Sequence, residues 1–347
     1  MSAFFKRFLG STILTLVCFA LAALYAWNET GTVHGMAAQL WLVLVLAVLE
    51  VSLSFDNAVV NASILKDMDA LWRRRFLTWG IAIAVFGTRI IFPLAIVGFT
   101  AGLGPIEAIH LSLNEPKQYE EILHGAHIAI AGFGGAFLAL VGLGFFIDEE
   151  KETHWLTWIE VRLKVVGSIK AGEISLVLAA LLGVAQMLAP AEAMQFLIAG
   201  IFGIFTFVAV DGLGTYFESK EKARAMQGVV LRSGLGAFLY LNVLDASFSL
   251  DGVIGAFALS NNMIIIALGL SIGAIFVRSL TVMMVEEGTL DEYMYMEHGA
   301  FWAILALAGI MLLSAKVEVP ETITGLIGAV LIAASVWWSI QHKPAQD

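Results

Sequence analysis

Long apolar runs, separated by short polar breaks, follow one another along nearly the whole chain. They lie near residues 8 to 27, 39 to 62, 77 to 99, 124 to 147, 172 to 189, 193 to 217, 235 to 259, 263 to 285, 299 to 315 and 321 to 340. Each approaches or exceeds the ~20 residues that a helix needs to cross a bilayer core. Because lipid offers the backbone no hydrogen-bond partners, we predict an all-α fold, a polytopic bundle of about ten transmembrane helices. With 59% hydrophobic residues the chain leaves no room for a soluble domain, so residues 1 to 347 form one membrane domain.

Basic residues divide unequally between the segments that join these spans. With the N-terminus in the cytoplasm, 15 of the 19 basic residues fall on cytoplasmic segments and only Lys117 and Lys316 on outer loops. The positive-inside rule therefore predicts that both termini are cytoplasmic. Lys6 and Arg7 begin the chain as in a signal peptide, but the long apolar run that follows lacks a clear cleavage pattern and predicts an uncleaved span. The net charge of -10 is spread over both sides and indicates no particular partner.

The same acidic, serine-spaced motif occurs twice inside the apolar runs. Its form is Leu-[Glu/Asp]-x-Ser-x-Ser-x-Asp, at residues 49 to 56 and 244 to 251. A carboxylate in a lipid-embedded helix is costly unless it is paired, protonated or bound to a cation, so such residues mark candidate functional sites. The carboxylates concerned are Glu50, Asp56, Asp245 and Asp251.

The duplication extends over three successive spans. The span after each motif contains one arginine, Arg89 or Arg278, and the next span opens with His-Gly-Ala, at His124 or His298. Spans 2 to 4 therefore match spans 7 to 9. Five spans separate equivalent members, and because this number is odd the matching helices run in opposite directions. The result is an inverted-topology repeat, which in transporters places the substrate site near the midplane. Repeat A covers about 39 to 147, and repeat B covers about 235 to 315.

The spacing of the first motif puts its two carboxylates on different faces of a straight helix. At about 100° per residue, Glu50, Ser54, Asn57 and Asn61 form one polar stripe, whereas Asp56 points elsewhere. One unbroken helix therefore cannot aim both carboxylates at the same ion.

The second motif repeats this divergence, with Asp245 and Ser249 on one face and Asp251 on another. Two explanations are open: the helix unwinds beside Asp56 and Asp251, or the carboxylates serve different roles. Asn or Gly follows each aspartate and weakens a helix there, and irregular backbone is tolerated at membrane depth where it lines a cavity. We therefore predict a break beside each aspartate.

The donors in the two motifs are carboxylates, hydroxyls, amides and main-chain carbonyls, all of them hard oxygen ligands. They suit Mn²⁺, Mg²⁺ or Ca²⁺ better than Cu⁺ or Zn²⁺, and the single cysteine, Cys18, excludes a multi-thiolate site. Arg89 and Arg278 are the expected counter-charges that pair with carboxylates in the empty state. Serines that satisfy helix carbonyls and purely structural carboxylate–arginine pairs are the alternative explanation. The predicted metal ligands are Glu50, Ser54, Asp56, Asn57, Asp245, Ser249 and Asp251.

Several polar positions outside the motifs allow more than one interpretation. Asp211, near the cytoplasmic end of the sixth span, is a gate, a ligand from outside the repeat or an interfacial residue. His124, His127 and His298 lie at span entrances, where interfacial hydrogen bonding competes with a functional role. Residues 148 to 170 mix charged and apolar residues, which predicts an amphipathic helix on the cytoplasmic surface or a regulatory contact.

Residues 50 to 62 and 245 to 254 resemble the two acidic motifs of TerC-type membrane proteins, and Phe-Gly-Gly-x-Phe-Leu at 133 to 138 also resembles that family. The likeness covers about spans 2 to 9 and points to an allied branch of unknown function. Asn61 and the long outer loop at 111 to 121 depart from the family's pattern.

This resemblance implies an association with tellurium-ion resistance in bacteria and, from several relatives, export of manganese from the cytoplasm. It also implies that Glu50, Asp56, Asp245 and Asp251 are the metal-site positions. The expected location is accordingly the bacterial cytoplasmic (inner) membrane.

These observations favour a divalent cation transporter, a Mn²⁺ exporter that works by alternating access between the inverted halves. The second hypothesis is a metal-binding membrane scaffold that assembles a stress-response complex with soluble cytoplasmic proteins. We do not expect an enzyme, because no nucleophile with a paired base is evident. The expected partners are a metal cation and membrane lipid, without nucleic acid, and both a monomer and a homodimer are compatible with the sequence.

Overall fold

The computed structural model describes residues 3 to 147, 153 to 167, 169, 171 to 225, 234 to 260, 262 to 317, 319 and 321 to 342. Throughout these residues the chain is helical and contains no strand, so the predicted all-α fold is confirmed. The helices are α1 (Ala3–Thr30), α2 (Val33–Leu53), α3 (Phe55–Asp67), α4 (Ala70–Ala82), a π-helix (Ile83–Ile91), α5 (Phe92–Ala101), α6 (Pro105–Asn114), α7 (Pro116–Gly125), α8 (His127–Ile147), α9 (Thr157–Gly167), α10 (Gly172–Ala185), α11 (Pro190–Ala225), α12 (Leu235–Leu259), α13 (Met263–Glu287), α14 (Thr289–Glu292), α15 (Met296–Ser314) and α16 (Glu321–Gln341).

Six helices in the described ranges are long and apolar enough to cross a membrane. They are Phe8–Thr30, Val33–Leu53, His127–Ile147, Pro190–Leu213, Met263–Glu287 and Met296–Ser314. Shorter apolar segments coincide with the other predicted runs, at Phe86–Phe99, Gly172–Ala185, Leu235–Ser249 and Leu326–Gln341. The protein is therefore a helical membrane protein, while ten crossings, the inverted repeat, the kind of membrane and the side of each terminus remain predictions.

The spans of the two repeats pack against each other reciprocally. Helix α13 of repeat B packs against α2 and α3 of repeat A, and the π-helix of repeat A packs against α12 of repeat B. In the same way α15 contacts α3, and α8 contacts α12. Helices α8 and α15, the third members of the two repeats, also pack against each other. The first motif, on α2 and α3, thus lies between α12 and α13.

Glycines in the fourth and sixth spans allow two helices to approach closely. A Cβ atom at Gly132 would collide with the Phe196 carbonyl oxygen of α11, and one at Gly203 would collide with the Phe133 carbonyl oxygen of α8. In lipid, close backbone approach replaces the hydrophobic driving force that packs helices in water. Helices α8 and α11 consequently form a tight pair behind the two motif helices.

The segment at 111 to 121, expected as a long outer loop, lies mainly within α6 and α7. Tyr119 of α7 is fully buried, and its ring lies 5.6 Å from that of Phe257 on α12, measured between centroids. This segment therefore packs over one end of the second motif helix.

Candidate functional site

The first motif helix is interrupted at Ser54. Helix α2 ends at Leu53 and α3 begins at Phe55, and Ser54 between them has φ −104° and ψ 15°. Its N–H still donates to the Glu50 carbonyl at 3.0 Å, and its carbonyl accepts from the Ala58 N–H at 3.1 Å. The break is therefore a one-residue kink rather than an unwound segment. The interruption predicted beside Asp56 therefore lies at Ser54 instead, and α3 continues regularly through Asp56 and Asn57.

The second motif helix has no such interruption. Helix α12 continues from Leu235 to Leu259 without a break, so the prediction of a break beside Asp251 is wrong. Gly252 is a packing contact instead of a helix break, because a Cβ there would lie only 3.1 Å from Glu50 Oε2. The missing side chain makes room for a carboxylate of the other repeat. The side chain of Asp251 itself lies outside the described part of the structure.

Glu50 is 1% exposed and forms an ion pair with Arg89. Its Oε1 accepts a hydrogen bond from Arg89 Nη2 and a second one from Ser54 Oγ at 3.1 Å. Gly273 of α13 lies against the Glu50 side chain so closely that a Cβ there would collide with it. Glu50 is thus fixed by its charge partner on one side and by glycine backbone on the other.

Arg89 lies in the π-helix, a feature that the sequence analysis did not predict. Its Nη1 donates to Thr88 Oγ1 at 2.9 Å, and the Phe92 N–H that closes the segment donates to the Gly87 carbonyl, five residues back. The available sequence signal is Pro93, which has no N–H and whose ring clashes with the carbonyl of residue 89 in a regular α-helix. π-helical turns are frequent at functional sites.

Asp245 connects the two repeats. It is buried in α12, and its Oδ1 accepts a hydrogen bond from Asn61 Nδ2 of α3 at 2.7 Å. Arg278 and Arg89 both lie close enough to act electrostatically on this carboxylate. The Arg278 guanidinium also lies over the Phe76 ring, 3.9 Å from its centroid. Asp245 therefore has two cationic neighbours, whereas its hydrogen bond to Asn61 is to a neutral amide.

A small cavity opens beside Asp245, between α3, α12 and α13. The space open to the centre of a water-sized sphere is about 20 Å³, enough for one water molecule or one monatomic ion. Among the described residues the amide oxygens of Asn57 and Asn61 are buried without a hydrogen-bond partner. The cavity is lined by Ser54, Asn57, Asn61, Arg89, Asp245, Ala274, Val277, Arg278 and Thr281.

Asp56 does not line this cavity. Its Oδ1 accepts from the Asn57 N–H at 2.9 Å, and its carboxyl faces α16, where a Cβ at Gly328 would lie 3.8 Å from Oδ2. Asp56 also stands in the first turn of α3, where the helix dipole favours a negative charge. In repeat A the kink thus leaves the two carboxylates in different places, which supports the explanation that they serve different roles.

The serines of the motifs divide between the site and ordinary helix packing. Ser54 lines the cavity. Ser249, also a predicted ligand, is not among the residues that line it, and its hydroxyl is buried with no partner in the described part of the chain. Ser52 and Ser247 donate to carbonyl groups four residues earlier in their own helices. The structural explanation of motif serines therefore holds for these last two.

The remaining candidates lie away from the cavity. Asp211 is exposed on α11. His124 lies 3.8 Å from Glu120 in the same helix, and His127 Nε2 lies 3.4 Å from Ser314 Oγ. His298 Nε2 is 2.9 Å from the Thr153 carbonyl. Within the described ranges no group of three or more His, Cys, Asp or Glu residues is placed to hold a metal ion. Any cation at this site therefore depends on amide and hydroxyl oxygens as well as carboxylates.

Comparison with known proteins identifies a family without an activity. A family model described as DUF475, protein of unknown function, matches residues 55 to 345, which include the whole second motif and both arginines. No curated protein and no solved structure matches the chain. The match does not connect the chain with TerC-type proteins, so tellurium resistance and manganese export remain predictions.

Proposed function

The chain belongs to the DUF475 family, whose function is unknown, and we propose from its intramembrane site that it transports a divalent metal cation, with Mn²⁺ as substrate. The observation that carries this proposal is the cavity beside Asp245. The Asp245 carboxylate of one repeat and the Asn57 and Asn61 side chains of the other line this space for one ion, and both amide oxygens are buried without a hydrogen-bond partner. Such convergence at a repeat interface is where transporters of this architecture bind substrate.

The two arginines supply the charge balance of the proposed empty state. Glu50 pairs with Arg89, and Asp245 lies beside Arg278, so two negative and two positive side chains offset each other. A divalent ion about 5 Å from a guanidinium would be repelled by about 7 kcal/mol at an effective dielectric constant of 20. This repulsion opposes ion binding while Arg278 keeps its present position, so we propose that cation entry displaces the arginine.

The donor set favours Mn²⁺ over the other hard cations. The cavity offers at most six side-chain oxygens, from Asp245, the two amides and the hydroxyls of Ser54 and Thr281, which is the lower end of the six to eight that Ca²⁺ takes. Mg²⁺ loses its water shell reluctantly, and a cavity of about 20 Å³ has no room for a hydrated ion. Mn²⁺ takes the same carboxylate and carbonyl oxygens in octahedral geometry, so six donors match its coordination number, and we propose it as the substrate.

Alternating access is the proposed mechanism of movement. The reciprocal packing of the two repeats supports an inverted relation between them. The proposal keeps the predicted ten spans with both termini in the cytoplasm. The kink at Ser54 and the π-helix around Arg89 are the places where repeat A departs from regular helix. Both border the cavity, so a rocking of one repeat against the other would open the site to alternate sides.

Transport of Mn²⁺ into proteoliposomes tests this proposal. Purified protein in vesicles that contain a Mn²⁺-sensitive dye should give flux above that of empty vesicles, and Asp245→Asn should reduce it at least about tenfold, since it removes the anionic ligand. The matched control is Ser52→Ala, a change in the same kind of motif at a hydroxyl that bonds only its own helix.

The proposal fails if the wild-type protein gives no flux, or if Asp245→Asn elutes as a folded protein and transports like wild type. Binding of Mn²⁺ without flux would contradict transport and favour the metal-dependent scaffold. Loss of flux in Ser52→Ala would show that the assay reports general damage to the helix.

A further inference from the structure

Helix α9 has two chemically different faces. Glu160 on one face is fully buried, and Leu163 beside it packs against the helix bundle. The opposite face carries Trp158, Val161 and Val165, which are 68%, 47% and 61% exposed. Spacings of three and four residues place these side chains in one continuous stripe. An apolar stripe of this kind on an exposed helix indicates a surface that another apolar phase covers.

The beginning of α9 is fastened to α15 through Glu160. Its Oε1 accepts hydrogen bonds from the Leu156 N–H at 3.0 Å and from Trp302 Nε1 at 3.1 Å. Its Oε2 accepts from the Trp155 N–H at 3.2 Å and lies 3.3 Å from His154 Nδ1. Because Trp302 lies in the second turn of α15, this carboxylate holds the start of α9 at one end of a candidate membrane span.

The end of α9 is fastened at the same kind of place. A Cβ at Gly167 would collide with Ile147, the last residue of α8, which is also a candidate span. Two contacts with span ends therefore place α9 at the level where α8 leaves the bilayer and α15 enters it. At that level an exposed apolar stripe meets the boundary between headgroups and acyl chains.

The charges of α9 fit an anionic lipid surface. Glu160 is its only acidic residue and is buried, whereas Arg162 and Lys164 follow the stripe. The Arg162 guanidinium lies over the Trp158 ring, 5.8 Å from its centroid, so a cation and a tryptophan stand side by side on this helix. Tryptophan is enriched at membrane interfaces, and basic residues there bind anionic headgroups.

We propose that α9 is an interfacial helix whose Trp158 stripe inserts into the adjacent leaflet and whose Arg162 and Lys164 bind anionic phospholipid headgroups. A membrane is favoured over a soluble partner because both ends of α9 are tied to span ends. Glu160 connects this lipid-binding helix with α15, which also packs against α3 of the candidate metal site. This surface is independent of the transport proposal.

Nitroxide labels on single cysteines test the insertion. Cys18→Ser removes the only cysteine, and labels are then attached at Trp158→Cys, Val161→Cys and Val165→Cys, with Thr157→Cys at the margin of the stripe as control. In phosphatidylcholine vesicles we expect stripe labels to collide with oxygen and to be shielded from a water-soluble nickel complex. The control label should collide with nickel.

Phosphatidylglycerol tests the headgroup contact. Adding it to the vesicles should move the stripe labels deeper, and Arg162→Gln with Lys164→Gln should abolish this shift without changing the depth in phosphatidylcholine. Stripe labels as open to nickel as the control would overturn insertion and leave the stripe to a soluble partner. A shift that persists in the double variant would overturn headgroup binding. Neither result depends on metal flux.

Discussion

The two copies of the acidic motif occupy equivalent places in the two repeats, yet they are built differently. In repeat A the helix is kinked at Ser54, and Glu50 forms a direct ion pair with Arg89. In repeat B the helix is continuous, and Asp245 accepts a hydrogen bond from Asn61 of the other repeat. Glu50 is thus paired with Arg89 and is not among the residues that line the cavity, whereas Asp245 lines it.

The cause of this difference lies in the residues that follow each motif. Repeat A has Asn57 and Asn61, and the corresponding places in repeat B hold Gly252 and Ala256. The unpartnered amide oxygens thus belong to repeat A, and the carboxylate that lines the cavity belongs to repeat B. Gly252 makes room for Glu50. Residues near both motif copies thus line one composite cavity rather than two identical ones.

The largest loss of unfolding free energy is expected from Glu50→Gln, because this variant leaves Arg89 buried without its charge partner. Removing one member of a buried ion pair costs about 3–5 kcal/mol of unfolding free energy. Asp245→Asn removes the charge beside Arg278 but should cost less, because Arg278 also lies over the Phe76 ring and the Asn61 amide can still hydrogen-bond to the new side chain. Reversible unfolding in detergent micelles, followed by circular dichroism, measures both values.

The control for this prediction is the double variant Glu50→Gln with Arg89→Gln. Removing both charges should recover most of the lost stability, since no uncompensated charge then remains in the bundle. Equal losses of unfolding free energy for Glu50→Gln and Asp245→Asn would show that the two carboxylates are held in the same way, contrary to the difference between the two motif copies.

A smaller loss of stability is expected when the glycines of repeat B that pack against Glu50 of repeat A are replaced. Gly273→Ala should destabilise the protein by about 1–3 kcal/mol, because its Cβ has no space beside Glu50. Gly309→Ala in α15 is the matched control, since a Cβ there meets nothing within 4 Å and alanine favours a helix. Thermal unfolding in the same detergent compares the two. A neutral Gly273→Ala would mean that Glu50 is not confined by this backbone.

The sequence was sufficient for features that depend on local pattern. Apolar run length located the membrane helices, and the phase of Glu50 and Asp56 within a helix correctly separated these two carboxylates. It also predicted an interruption beside Asp56, but the break lies at Ser54 and α3 continues through Asp56 and Asn57. Periodicity describes one helix at a time, and so it could not identify Gly252 as a packing contact for Glu50.

The sequence predicted that Arg89 pairs with a motif carboxylate, but two other features that depend on packing in the bundle could not be predicted. Glu160 was only one charge in an amphipathic segment, and its burial follows from donors on α15 and on its own loop that no local pattern reveals. The π-helix around Arg89 had a signal in Pro93, but a proline in an apolar run equally predicts an ordinary kink. Tertiary packing decided both.

The smallest expected effect concerns the far end of the broken helix. Helix α3 is kinked from α2 at Ser54, and at its other end Lys66 Nζ donates to Glu297 Oε1 of α15 at 2.7 Å. Both side chains are partly exposed, so a double-mutant cycle with Lys66→Met and Glu297→Gln should give a coupling of only about 0.2–1 kcal/mol. A movement of α3 about the Ser54 kink during transport would break the Lys66–Glu297 ion pair. Each single variant should therefore change the Mn²⁺ transport rate more than it changes the unfolding free energy. A coupling well above this range would instead mean that α3 is rigidly held, and the asymmetry between the two motif helices would then be structural and not a device for movement.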